Sequence, residues 1–132
     1  MPPCCHVNSG APRVKRVQVV DDNAALRAVA CAHIDVADHM QLVAEVGDAV
    51  QAVTAARLHR PDAILLDLEM PHMDGFEALP LLAQIVPDAT IVVYTSLDTP
   101  EARMRAEGLG ACAYVVKGQT RVVELMEVLR GG

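Results

Sequence analysis

Four apolar segments of this chain end on residues able to handle a phosphoryl group. Val17 to Val20 runs into Asp21 and Asp22, Ala63 to Leu66 into Asp67, Ile91 to Tyr94 into Thr95 and Ser96, and Tyr114 to Val116 into Lys117. In a parallel α/β sheet, ligands bind outside the carboxyl ends of the strands, where the strand order reverses. Such a sheet would gather three carboxylates, a hydroxyl and an ammonium at one edge. At ~4 Å and an effective dielectric of ~20, each like-charge pair costs about 4 kcal/mol, so the acidic cluster demands a cation. Hard oxygen ligands suit Mg²⁺ or Mn²⁺, and no histidine and cysteine combination at these strand ends favours zinc.

With the cluster screened, a carboxylate becomes a nucleophile toward phosphorus and forms an aspartyl phosphate. Asp67 is the candidate, because it follows a short, wholly apolar strand of the kind buried in the middle of a sheet. A transferring phosphoryl group spreads charge over three equatorial oxygens: the metal takes one, Lys117 a second and the Thr95 hydroxyl a third. Taken singly, each residue has a purely structural explanation. Asp22 or Asn23 suits the cap of a first helix, Thr95 or Ser96 a turn, and Lys117 a solvated position. Their coincidence at four strand ends is what a structural explanation leaves unaccounted for.

The elements that must position these residues alternate from Arg16 onward as strand and helix, the pattern of a parallel sheet covered on both faces. A helix is expected from Asn23 or Ala24 to about Val36, a strand over Met40 to Val46, and a helix from Ala49 to His59, stopped at Arg60-Pro61. Met70 to Gly75 reads as a loop before a helix over Phe76 to Val86, which Pro80 would bend. A strand over Thr90 to Tyr94 leads through Leu97 to Pro100 into a helix ending near Glu107. Ala113 to Val116 is the last strand, and Val122, Val123, Leu125, Met126 and Leu129 mark the last helix, Thr120 to Arg130, at helical spacing.

Length and charge bound the function. The 132 residues suit one domain, placed at residues 15–132 after a flexible extension over residues 1–14. The net charge of -6 argues against direct nucleic-acid binding by this chain. The first residues lack the apolar stretch of a signal peptide, and no segment is long enough to span a membrane, so a cytoplasmic location is expected. Cys4, Cys5, Cys31 and Cys112 do not pair by spacing, and reduced thiols are the simplest reading. Cys4-Cys5-His6 lacks a second ligand pair. The five histidines are scattered, with His72 a turn residue near Asp67.

In order and spacing, Val19-Val20-Asp21-Asp22, the stretch from Leu65 to Gly75, Val93-Tyr94-Thr95-Ser96 and Tyr114-Val115-Val116-Lys117 resemble the receiver domain of two-component response regulators, in its chemotaxis-regulator-like form. The resemblance covers nearly all of Arg16 to Arg130. It implies a flavodoxin-like, doubly wound (βα)5 fold with a five-stranded parallel sheet in the order 2-1-3-4-5. It also implies a signalling switch rather than an enzyme with turnover. Asp67 would be the phosphoacceptor, Asp21 and Asp22 the Mg²⁺ ligands with the main-chain carbonyl of Glu69, Thr95 the switch hydroxyl, Lys117 the phosphate-contacting ammonium and Tyr114 the aromatic that changes exposure, turning inward from an exposed position. The output surface would comprise the Pro100 to Glu107 helix, the last strand and the last helix.

The implied partners are a sensor histidine kinase or a histidine phosphotransfer protein, and an output domain or effector, with a homodimer held open. One departure stands out: Gly118 follows Lys117 where the family usually has proline after a cis bond, so a trans bond or an altered loop is expected. Gln41 to Val46 is similar to the second strand of receivers from two-domain regulators with a helix-turn-helix output. Two other classes are weighed beside this. A small phosphohydrolase with an aspartyl-phosphate intermediate would resemble a different arrangement, with its nucleophile on the first strand. A flavodoxin-type cofactor binder would want aromatics, of which there are only two Tyr and one Phe.

Overall fold

In the computed structural model, residues 14–70 and 74–130 are described. The chain alternates β1 (Lys15–Val20), α1 (Ala24–Val36), β2 (Met40–Val46), α2 (Ala49–His59), β3 (Ala63–Leu66), α3 (Gly75–Ile85), β4 (Thr90–Thr95), α4 (Pro100–Gly108), β5 (Ala113–Val116) and α5 (Val122–Arg130). All strand pairs are parallel, and the order is β2-β1-β3-β4-β5. This is the flavodoxin-like α/β fold expected from the sequence. The reversal of order lies between β1 and β3, so their carboxyl ends flank the crevice where such folds bind ligands.

The alternation of side chains along a strand divides the core in two. Val20, Ile64, Leu66, Ile91 and Val93 face one way, against α2, α3 and α4, while Val17, Val19, Leu65, Val92 and Val115 face α1 and α5. β3 is buried at every residue, which is why its sequence is wholly apolar. α2 approaches the sheet through Ala49, Ala52 and Ala56, all fully buried. The space beneath these small residues is filled by Gln18, whose Nε2 donates to the Ala52 carbonyl at 2.9 Å while its buried Oε1 has no partner.

Helix starts follow from side-chain caps. Asn23, rather than Asp22, caps α1 by accepting from the N–H groups of Ala25 and Leu26. Asp48, Asp74 and Thr99 do the same for α2, α3 and α4, each such cap being worth ~1 kcal/mol. α2 ends on Arg60 in the left-handed region, with φ 47°. Its last carbonyls, on His59 and Arg60, accept from Arg16 Nη1 at 2.7 and 3.2 Å. Pro80 lies inside α3, where it lacks the N–H that would bond the Phe76 carbonyl.

Boundaries shift by a residue or two from expectation: β1 begins at Lys15, β4 includes Thr95 and α5 begins at Val122. Cys31 is a buried free thiol, its pKa pushed up to about 11 by burial and then by Glu45. Cys112 is disulfide-bonded, which corrects the reading of reduced thiols there. The 1–13 part of the expected extension, with Cys4-Cys5-His6, lies outside the described residues, as does His72. Among the described residues no helix is long and apolar enough to cross a membrane.

Candidate functional site

Asp21 and Asp67 directly follow β1 and β3, the strands on either side of the order reversal. Their backbones are fixed by the sheet's own bonding continued past the strand ends: Asp21 N–H donates to the Val46 carbonyl at 3.1 Å and Asp67 N–H to the Val20 carbonyl at 2.9 Å. Asp22, exposed, follows Asp21. One carboxylate oxygen from each of Asp21, Asp22 and Asp67 lies within 4.8 Å of the others. Lys117, at the end of β5, lays its ammonium against this group, 2.9 Å from Asp21 Oδ2 and 3.3 Å from Asp67 Oδ2.

The electrostatics follow from burial. Asp67 is 4% exposed, and loss of water raises its pKa from 3.8 to about 6 despite Lys117 and the Glu69 N–H, with Asp21 adding to the rise. Burial works against the Lys117 ammonium too, but its bond to Asp21 and the charge of Asp67 outweigh that and hold its pKa above the ordinary value. A carboxylate near neutrality in pKa, ionised at pH 7 yet poorly solvated, is a better nucleophile than a hydrated one. The donor set, three hard carboxylates within ligand distance of one another, fits an Mg²⁺ or Mn²⁺ ion rather than a softer metal.

The remaining residues singled out by sequence lie around this cluster. Glu69 donates its N–H to Asp67 Oδ1 at 3.2 Å, and its carboxylate accepts a short bond from the Ser96 hydroxyl. Thr95 is fully buried, its carbonyl accepting the Lys117 N–H at 2.8 Å and its Oγ1 the Leu97 N–H at 3.4 Å. Tyr114 differs from an exposed starting position: it is 7% exposed, and its hydroxyl donates to the Leu97 carbonyl at 2.8 Å. The ring is held inward because α4 supplies Arg103, whose guanidinium lies 4.9 Å from the ring centroid. The bond between Lys117 and Gly118 is trans, and Gly118 takes φ 84°, a value that suits glycine.

Three participants were not evident from sequence. Arg27 on α1 donates from Nη1 to the Asp21 main-chain carbonyl at 2.7 Å and from Nε to Glu45 at 3.2 Å. Gly75, first residue of α3, lets that helix approach the nucleophile's own backbone: a Cβ there would stand 2.6 Å from the Asp67 carbonyl oxygen and from Leu68 Cα. The ring of Tyr94 lies under the Lys117 ammonium, 5.6 Å from ring centroid to Nζ. A cation on the first helix one turn past the acidic pair is a usable signal for Arg27. The other two depend on tertiary approach.

The comparisons with known proteins agree with this geometry. Residues 17–130 match the response regulator receiver domain family. The chain is 37% identical over 113 residues to a protein-glutamate methylesterase/protein-glutamine glutaminase of Maricaulis maris, covering 84% of this chain and 28% of that protein. It is 35% identical over 122 residues to the transcriptional regulatory protein PdtaR of Mycobacterium tuberculosis, covering 87% of this chain and 54% of that one. It therefore spans only part of the length of these relatives. The crystal structure of the response regulator domain of Thermotoga maritima CheB superposes with a TM-score of 0.82 at 32% identity, over 89% of this chain and 95% of that one. With these matches, the fold and the acidic crevice together place the chain in the receiver domain family of two-component response regulators, whose general function is that of a phosphoacceptor switch.

Proposed function

We propose that this receiver takes its phosphoryl group on Asp67. The observation that carries the reading is the Asp67 carboxylate held in a buried crevice with Asp21 and Asp22 within 4.8 Å and the Lys117 ammonium 3.3 Å away. A carboxylate oxygen of Asp67 attacks the phosphorus of a phosphohistidine on a sensor kinase or phosphotransfer protein. The new O–P bond forms as the N–P bond breaks, and the histidine nitrogen leaves with the electron pair. Lys117 lies where its ammonium can meet a phosphoryl oxygen once it gives up Asp67.

Mg²⁺ or Mn²⁺ would be held by Asp21, Asp22, Asp67 and the main-chain carbonyl of Glu69, and when bound would neutralise charge on the transferring group. Phosphorylation adds about 1.5 to 2 negative charges. The response in this reading runs from Thr95 through Tyr114 to the surface of α4, β5 and α5, which would engage an output domain or effector, or a second copy of the chain. The chain would act in the cytoplasm as a signalling module, without catalytic turnover of a separate substrate and without contacting nucleic acid itself.

Incubation with acetyl phosphate and Mg²⁺ should add one phosphoryl group by intact mass, and Asp67→Asn should abolish the gain. An unchanged mass for the parent chain, or an undiminished gain in the variant, would overturn the reading. Continuous release of phosphate from a general phosphatase substrate would point instead to the phosphohydrolase class.

A further inference from the structure

Strand parity places Tyr94 beside Lys117. In the β4 and β5 register, Tyr94 stands opposite Val115, and Lys117, the first residue past β5, lies two residues beyond Val115, so the two occupy a diagonal pair on one sheet face. Val92, Tyr94 and Val115 all belong to the α1 and α5 side of the core. The Lys117 ammonium indeed lies 5.6 Å from the centroid of the Tyr94 ring, inside the ~6 Å within which a ring face attracts a cation. The next residue of β4, Thr95, accepts the Lys117 main-chain N–H at 2.8 Å, so consecutive residues of one strand hold both ends of the lysine.

The loop beyond Lys117 gives it less support. Gly118 sits at φ 84°, and a Cβ placed on it would meet nothing within 4 Å, so the loop is held by Gln119, whose N–H bonds the Val116 carbonyl and whose Nε2 bonds Asp98, rather than by side-chain packing at Gly118. The ammonium must also exchange partners. It is bound to Asp21 and Asp67, and in the phosphoacceptor reading it must turn to a phosphoryl oxygen. An ion pair cannot hold it through that exchange, because the pair is what changes. A ring face is non-directional toward a cation sliding across it, and it excludes water from one side of the ammonium.

We infer that Tyr94 is a positioning residue for Lys117: its ring keeps the ammonium over the crevice while the lysine passes from the carboxylates to the phosphoryl group. The inference rests on the phosphoacceptor reading of Asp67 for its kinetic consequence, but the contact itself does not. Tyr94→Leu removes the ring and keeps apolar bulk in a half-buried position. Tyr94→Phe keeps the ring face. The maximal rate of phosphorylation by acetyl phosphate should fall about three- to ten-fold in the leucine variant, the size of a cation–π contact expressed as a rate ratio. The phenylalanine variant should retain most of the rate. Mg²⁺ affinity should be unchanged in both, since the inference gives Tyr94 no part in holding the metal.

The side-chain methylene protons of Lys117 should carry a ring-current shift in the parent and the phenylalanine variant, and lose it in the leucine variant, with no phosphodonor present. A leucine variant that phosphorylates at the parent rate would overturn the inference, as would an equal slowing of both variants or a loss of Mg²⁺ affinity matching the loss of rate. If the parent chain takes no phosphate at all, the phosphoacceptor reading fails, and the ring-current result alone then decides whether Tyr94 holds Lys117.

Discussion

Thr95 and Tyr114 hold opposite ends of a single residue, Leu97, whose N–H donates to Thr95 Oγ1 at 3.4 Å and whose carbonyl accepts the Tyr114 hydroxyl at 2.8 Å. Displacing the threonine hydroxyl therefore disturbs the same peptide segment that anchors the tyrosine ring. The ring is held inward by Arg103 over its face and by Arg103 Nη1 at 3.4 Å from its carbonyl. A ligand shifts such an equilibrium only by its differential affinity for the two states, so phosphorylation would act on the ring only as far as the phosphate favours one position of the Thr95 hydroxyl over the other.

Thr95→Ala should still accept phosphate at Asp67 but uncouple it from the α4, β5 and α5 surface. Amide shifts on adding beryllofluoride, a phosphoryl analogue, should reach Tyr114 and α5 in the parent and stop at the site in the variant. Shifts confined to the site in the parent would refute the coupling. Arg103→Ala should free the ring, seen as greater exposure of Tyr114 to a soluble quencher.

The elevated Asp67 pKa has a consequence for stability in metal-free buffer. The folded carboxyl keeps its proton up to about pH 6, against a reference of 3.8, so the folded state binds more protons in that window and stability falls as pH rises through it. The net shift already includes the attraction of Lys117, so the charge on Asp67 is unfavourable overall. Asp67→Asn should therefore melt at the same temperature as the parent below about pH 4 and progressively higher than it up to about pH 6, remaining so above. Melting curves across this range, without Mg²⁺, check it.

Asp22 is the exposed member of the acidic group. Asp22→Ala should weaken Mg²⁺ binding and block phosphorylation while leaving the fold intact, and relief of like-charge repulsion should hold or raise the melting temperature in metal-free buffer. A sharp fall in melting temperature with phosphorylation preserved would make Asp22 structural.

Arg27 fixes the Asp21 peptide that both acidic residues share. Arg27→Met should reduce Mg²⁺ affinity about three- to ten-fold, the loss of roughly 1 kcal/mol expected when one hydrogen bond that orients the ligand peptide is removed. Glu45→Gln, which leaves the carbonyl contact in place, should have the smaller effect. Isothermal titration of both variants with Mg²⁺ tests the order.

The sequence made most of this legible because strand ends are marked by composition. The apolar runs before Asp21, Asp67 and Lys117 announce both burial and termination, and the alternation with helices dictates a parallel sheet. Tyr114 was misplaced because its position depends on Arg103, eleven residues away on α4 and close only after packing. Tyr94 reads from sequence as one more apolar strand residue, and only the register with β5 brings it beneath Lys117. Cap residues show the reverse: Asn23, Asp48, Asp74 and Thr99 act within their own turns, so short-range pattern suffices to find them.

Positions 21, 22, 67 and 117 are fixed by what their side chains can do. Position 75 is fixed by what its residue lacks: a single added carbon would stand 2.6 Å from the Asp67 carbonyl oxygen and 2.6 Å from Leu68 Cα. Both are main-chain atoms and cannot rotate away, so α3 would have to withdraw, taking with it the Gly75 N–H that bonds the Leu68 carbonyl at 2.9 Å. A residue with no functional group thus also limits what the site tolerates. A survey of damaging substitutions that looked only for lost charges and hydroxyls would overlook the position where alanine alone suffices.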